Sequence, residues 1–161
     1  MKVSVLIIAS ATVLLLGCDQ ERGDKRVAQQ ITCVNNLKQI GIEFRIWSGD
    51  HQGQYPFNLS TNAGGTMEFC EVGKDGFDSN AFLHFKAMGG DESLKVPWLL
   101  VCPQDKSRKA ATNWASLRAE NVTYRLRTGT NIHEGDPHEV LVVCPVDGNT
   151  LHGDGTVTTR K

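Results

Sequence analysis

The chain has 161 residues, with 17 Lys and Arg against 18 Asp and Glu and a formal net charge of -1. That balance gives no general attraction to nucleic acid or acidic lipid, and the length suits one domain with one hydrophobic core. Lys106, Arg108, Lys109, Arg118, Arg125 and Arg127 form a basic stretch that reads as a solvated face, so no nucleic-acid partner is expected.

Met1-Lys2 is followed by an uncharged apolar run over residues 3–16. A charged start and an apolar stretch make a secretory signal. At about 14 residues the run is shorter than the roughly 20 that a membrane-crossing helix needs. It closes on Leu15-Leu16-Gly17-Cys18, which resembles the lipobox of bacterial lipoproteins. The resemblance implies export, cleavage before Cys18, and diacylglycerol with an acyl chain such as palmitate on that residue. Two or more chains anchor stably because each buried methylene adds about 0.8 kcal/mol. Asp19 resembles the residue that keeps some lipoproteins in the inner membrane, so the expected location is that membrane's periplasmic face. Residues 1–17 are then a signal peptide, 18–26 a lipidated Cys and polar tether, and 27–161 a single domain. Loss of Lys2 with the signal moves the formal charge from -1 to -2.

After the tether, Val27, Ile31, Val34, Leu37, Ile40, Phe44 and Trp47 recur at steps of three and four, one face of an amphipathic helix. Its end is expected near Ser48-Gly49-Asp50, where Gly takes the left-handed conformation that helix termini often use. Residues 51–65 read as loop, punctuated by Gly53, Pro56, Asn58, Asn62, Gly64 and Gly65. Residues 81–88 read as a second, short helix closed by Gly89-Gly90 and packed on a sheet.

The rest of the chain contains an internal echo. Leu99-Leu100-Val101-Cys102-Pro103-Gln104-Asp105 is matched by Leu141-Val142-Val143-Cys144-Pro145-Val146-Asp147. Each reads as an apolar strand ended by Pro, which cannot donate to a ladder. Residues 121–126 alternate like a half-exposed strand, and 155–159 suit a last edge strand. The expected fold is α+β: a long N-terminal amphipathic helix on a small, mainly antiparallel sheet.

Five cysteines become four once Cys18 is lipidated, in a compartment where disulfides persist. Four allow three full pairings, among which sequence does not choose. The echo gives Cys102 and Cys144 the best claim, and such a cross-link could stabilise by roughly 2 to 4 kcal/mol. The Cys-Pro-x-Asp segments also look like zinc-ribbon knuckles with Asp in place of the second Cys. Structural zinc usually takes paired Cys or His at close spacing, and neither segment supplies a Cys-x-x-Cys pair, so a disulfide or buried free thiols are expected ahead of zinc. His133 and His138 flank Glu134 and Asp136 in turn composition, unlike a helical His-Glu-x-x-His site. No Gly-x-Ser-x-Gly elbow, phosphate loop or Cys-x-x-Cys pair points to catalysis.

Taken together, residues 27–157 resemble the soluble part of bacterial type II secretion pseudopilins and prepilin-like proteins, in the branch with a C-terminal His-...-Asp-Gly motif. The resemblance rests on Cys33-Val34-Asn35-Asn36-Leu37-Lys38-Gln39-Ile40-Gly41, Tyr55-Pro56-Phe57, Leu100-Val101-Cys102-Pro103-Gln104-Asp105, Asn121-Val122-Thr123-Tyr124 and His152-Gly153-Asp154-Gly155. It implies a long helix on a small antiparallel sheet and a non-catalytic role in a periplasmic filament assembly. This chain differs in lacking a prepilin cleavage site, with a lipidated Cys and tether replacing the membrane-spanning half-helix. The expected partners are pseudopilins or secretion-platform proteins, with the membrane held through lipid. Some pseudopilins carry calcium in a C-terminal loop, and Asp136, Asp147, Asn149 and Asp154 offer the oxygen ligands that calcium takes. No other cofactor is expected. The alternative is a stand-alone envelope binding module that keeps the fold and holds a metal or small ligand. Apolar residues of the first helix left uncovered by the sheet favour assembly, and an oxygen-lined pocket near Asp136, Asp147 and Asp154 favours the binding module.

Overall fold

A computed structural model describes residues 5–90, 94, 96–130, 132 and 134–160, with the backbone path alone given for 5–20. One continuous helix, α1 (Val5–Asp50), dominates it. Residues 20–26, expected as a tether, are part of this helix and exposed from residue 21 onward. No proline interrupts α1, and a helix once started gains a hydrogen bond with each residue added. Among the described residues no helix is long and apolar enough to cross a membrane.

The buried face of α1 consists of Cys33, Asn36, Leu37, Ile40, Gly41, Glu43, Phe44, Trp47 and Ser48, a run of three- and four-residue steps. The periodicity therefore identifies the helix and its second half correctly. Its first half is out of phase: Val27 and Ile31 face solvent, and Cys33 takes the inward position. At about 100° per residue, Cys33 lies in line with Leu37, Ile40 and Phe44, whereas Ile31 lies across the helix from them. Gly41 faces Leu151 so closely that a Cβ there would stand 2.8 Å from its Cδ1, which brings the helix backbone down onto the sheet. The helix ends as Gly53 N–H donates to the Ser48 carbonyl at 2.8 Å. The left-handed positions that close it are Gln52 (φ 57) and Gly53 (φ 77), in place of the expected Gly49.

Beyond α1, 3-10 turns at Pro56–Asn58, Thr61–Ala63 and Met67–Phe69 lead to α2 (Ala81–Gly90). Phe44 anchors this region, with the rings of Tyr55 and Phe85 edge-on at 5.2 and 6.0 Å. The main neighbours of α2 are α1 and the Pro56–Asn58 turn, a different packing from the expected one on the sheet. Residues 99–101, expected as a strand, lie largely in the 3-10 turn Pro97–Leu100. Pro97 explains the difference: it fixes the dihedral that opens such a turn and cannot join a strand ladder. One backbone bond, Thr123 N–H to the Leu100 carbonyl at 2.8 Å, is what remains of a pairing there.

The sheet is a four-stranded antiparallel meander in chain order: β1 (Arg125–Leu126), β2 (Val140–Val143), β3 (Thr150–His152) and β4 (Val157–Thr158). Leu126, Leu141, Val142 and Leu151 are buried, giving the sheet an apolar side. The α+β architecture of long helix and small antiparallel sheet is therefore present, with β1 shorter than the alternating pattern over 121–126 suggests. The basic residues of the middle stretch sit at the surface with local partners: Arg108 pairs with Asp105, Arg125 with Asp75 and Arg127 with Glu139.

Candidate functional site

Cys33 on α1, Cys102 after the Pro97–Leu100 turn, and Cys144 directly after β2 bring their sulfurs to one point. Asp147 adds a carboxylate. All four donor atoms lie within 4.8 Å of one another. The three cysteines have no exposed surface, and Asp147 is half-buried.

Local structure sets each position. Cys102 N–H donates to Thr123 Oγ1 at 3.1 Å, and that hydroxyl donates to Asp105 at 2.8 Å. Cys144 begins a tight turn in which Gly148 N–H reaches the Cys144 carbonyl at 2.8 Å, with Gly148 left-handed at φ 73. The same turn aims Asp147 N–H at the Cys144 sulfur, 3.4 Å away, and its carboxylate at the Cys102 sulfur, 3.3 Å away. Hydrogen bonds from Cys102 and then Cys33 pull the Cys144 thiol well below the ordinary range. Contacts with Cys102 and then Cys144 push Cys33 up, Cys144 pushes Cys102 up against the opposing pull of Cys33, and burial and then Cys102 raise Asp147. Three sulfurs and one carboxylate thus face one point, an arrangement of soft donors suited to a thiophilic ion.

Cys102 and Cys144 do converge, as the repeated segment suggests, and of the two expected states the structure has them as buried free thiols, with no disulfide between them. Cys33, Cys70, Cys102 and Cys144 are all free thiols. The third sulfur turns a pair into a group of three. Neither knuckle holds a close second Cys, and α1 supplies the missing sulfur from far away in sequence. Although the two segments look alike, Asp105 does not join the group: it pairs with Arg108 at 3.4 Å and accepts from Thr123 and Ser107.

The four calcium candidates do not assemble. Asp147 belongs to the thiol group; Asp136 accepts from His138 N–H at 2.8 Å; Asp154 accepts from Thr156 N–H at 2.9 Å; and Asn149 is buried. Among the described residues, neither grouping of three or more possible ligands contains Asp136 or Asp154. His133 lies outside the described residues, and the Cys18 side chain likewise.

The second grouping, Cys70 with Asp78 and His84, is a buried polar network. His84 joins Thr66 at 2.7 Å through Nδ1 and Asp78 at 3.3 Å through Nε2, and Asp78 also accepts from Thr128 at 2.6 Å. Each ring nitrogen of His84 thereby has a partner, and burial pulls its pKa down against the opposing pull of Asp78. Sequence patterning gave no signal for this network.

On the opposite side of α1, Val27, Ile31, Ile42 and Ile46 are 55%, 57%, 56% and 44% exposed. At about 100° per residue they fall within one arc of about 100° facing away from the core. A groove of about 370 Å³ runs along part of this side, lined by Ile31, Val34, Lys38 and Arg160 among others. Comparison with protein-family models, with curated proteins and with solved structures found no match. The chain is thus an α+β protein with two distinct features, apolar residues on the outward side of α1 and an inward thiol–carboxylate group.

Proposed function

We propose that this is a non-catalytic, pseudopilin-like lipoprotein, anchored through lipid on Cys18 at the periplasmic face of the cell membrane, that makes protein–protein contacts in a type II secretion or pilus-type assembly. The observation that carries the reading is the outward stripe of Val27, Ile31, Ile42 and Ile46 on a helix whose other face is already covered by the domain. Single exposed apolar residues are ordinary; here two apolar pairs, Val27 with Ile31 and Ile42 with Ile46, recur on one side of the helix about 16 Å apart, with the exposed Asn35 and Lys38 between them, a mixed surface of the kind that meets a partner. Its occupant is the corresponding helix of a pseudopilin-type subunit, since helix pairs bury apolar stripes of this width against one another. Lys38 and Arg160 border the groove and favour an acidic rim on that partner. The long α1 on a small antiparallel sheet agrees with the resemblance in the residues around Asn35-Asn36-Leu37-Lys38-Gln39-Ile40-Gly41.

The test is cross-linking and affinity recovery of the lipidated protein from detergent-solubilised envelope, beside a Cys18→Ser chain and an Ile31→Glu/Ile42→Glu chain whose helicity and melting are unchanged. Recovery of pseudopilins or platform proteins with the natural chain, and their loss with both variants, is the expected result. A natural chain that brings down none of these components would refute the assembly role and leave a stand-alone envelope binding protein.

A further inference from the structure

We propose that Cys33, Cys102, Cys144 and Asp147 bind a structural zinc ion in a tetrahedral site of three sulfurs and one oxygen. The inference does not depend on the assembly role.

The geometry fits the ion. Zinc holds thiolate sulfur at about 2.3 Å, which places tetrahedral sulfurs roughly 3.8 Å apart. All four donor atoms already lie within 4.8 Å of one another, so a small inward movement closes the site. The surroundings fit thiolates. Asp147 N–H points at the Cys144 sulfur from 3.4 Å and Tyr124 Oη–H at the Cys33 sulfur from 3.7 Å. Outer contacts of this kind orient ligands and support their charge.

The competing arrangements leave buried groups without a complete set of partners. A disulfide between any two of the cysteines strands the third thiol beside a half-buried carboxylate. Three free thiols at this spacing would be open to oxidation in an exported protein. Zinc has no redox chemistry, uses all four groups, and takes the place of the thiol protons, which leave to solvent on binding. Calcium and magnesium require oxygen-rich shells and are excluded by the three sulfurs. With every position filled by protein the site is closed, which makes it a staple and not a catalytic centre. It ties α1 to the segment after the Pro97–Leu100 turn and to the β2–β3 turn.

The test begins with full-length protein purified from envelope in detergent, its metal content measured by plasma mass spectrometry. The expected result is one zinc ion per chain. That zinc is lost in Cys33→Ser and Asp147→Asn and retained in Cys70→Ser, which lies outside the site. Because a ligand variant can fail to fold, cobalt(II) is also titrated into reduced, chelator-stripped natural protein, where thiolate-to-cobalt charge-transfer and tetrahedral ligand-field bands are expected. The proposal is overturned if the reduced natural protein gives no such bands. It is equally overturned if two of the three cysteines are isolated as a disulfide, or if folded Cys33→Ser keeps its full zinc content.

Discussion

The Tyr124 hydroxyl donates to the sulfur of Cys33 across 3.7 Å, at a place where neither side chain has appreciable access to water. The phenol of Tyr124 is held above its ordinary range by burial first and by Cys33 next, so it remains a donor throughout the range in which proteins fold. Nothing else in the helical pattern of α1 calls for a sulfur at position 33, and the contact gives that sulfur a partner on the neck of the sheet, one residue before β1.

Replacing this donor has a predictable cost. A hydrogen bond between neutral groups contributes about 1 kcal/mol, and one to a charged acceptor about 1.5 to 3 kcal/mol. Tyr124→Phe is therefore expected to destabilise by about 1 kcal/mol in chelator-stripped, reduced protein and by more when zinc holds Cys33 as thiolate. Urea unfolding with and without chelator measures both. Equal losses in the two states would show that the contact does not sense charge on the sulfur.

The buried His84 predicts a stability that weakens in mild acid. Asp78 accepts from Nε2, so the neutral ring carries its proton there and accepts from Thr66 at Nδ1. Burial lowers its folded-state pKa below the ordinary 6.5. Between the lowered and the ordinary value the unfolded chain binds more protons, so stability rises with pH across that interval. The contribution is complete above about 6.5 and is lost as pH falls from there through the folded value. Melting temperatures from pH 8 to pH 5 at constant ionic strength should fall most steeply below pH 6.5, and His84→Gln should flatten that part of the curve while lowering the whole.

Two adjacent glycines at the end of α2 should respond oppositely to alanine. A Cβ on Gly89 would lie 2.1 Å from Trp114 Cδ2, in the body of the indole, whereas one on Gly90 meets nothing within 4 Å. Alanine gains about 1 kcal/mol over glycine within a helix, while overpacking costs about 1 to 3 kcal/mol. Gly89→Ala is thus expected to lose stability on balance, and Gly90→Ala to be neutral or slightly stabilising at its terminal position. Thermal unfolding of the two variants side by side checks the sign of each.

The period of α1 is legible because one stripe repeats over many turns, and β2 because four aliphatic residues, Val140 to Val143, stand together shortly before Pro145. The phase of the first half is obscured by a second stripe: Val27 and Ile31 belong to the outward face along with Ile42 and Ile46. Read forward from Leu37, Ile40 and Phe44 alone, the helix puts Cys33 inside, and that is the signal by which its meeting with Cys102 and Cys144 was findable. Residues 99–101 look like a strand because apolar composition outweighs one proline, yet Pro97 decides for a turn and leaves one backbone bond, from Thr123 to Leu100. Asp105 is held apart from Asp147 by Arg108, three residues on, and by Thr123 through space, and the second of these is beyond local reading.

The thiol group also has a consequence for how the chain matures. Its first sulfur lies in the opening helix and its last beyond β2, so a fragment ending anywhere before residue 144 holds at most two of the three. Nearly the whole polypeptide must be made and brought together before the group exists. The group is therefore out of reach of any product that stops short of residue 144.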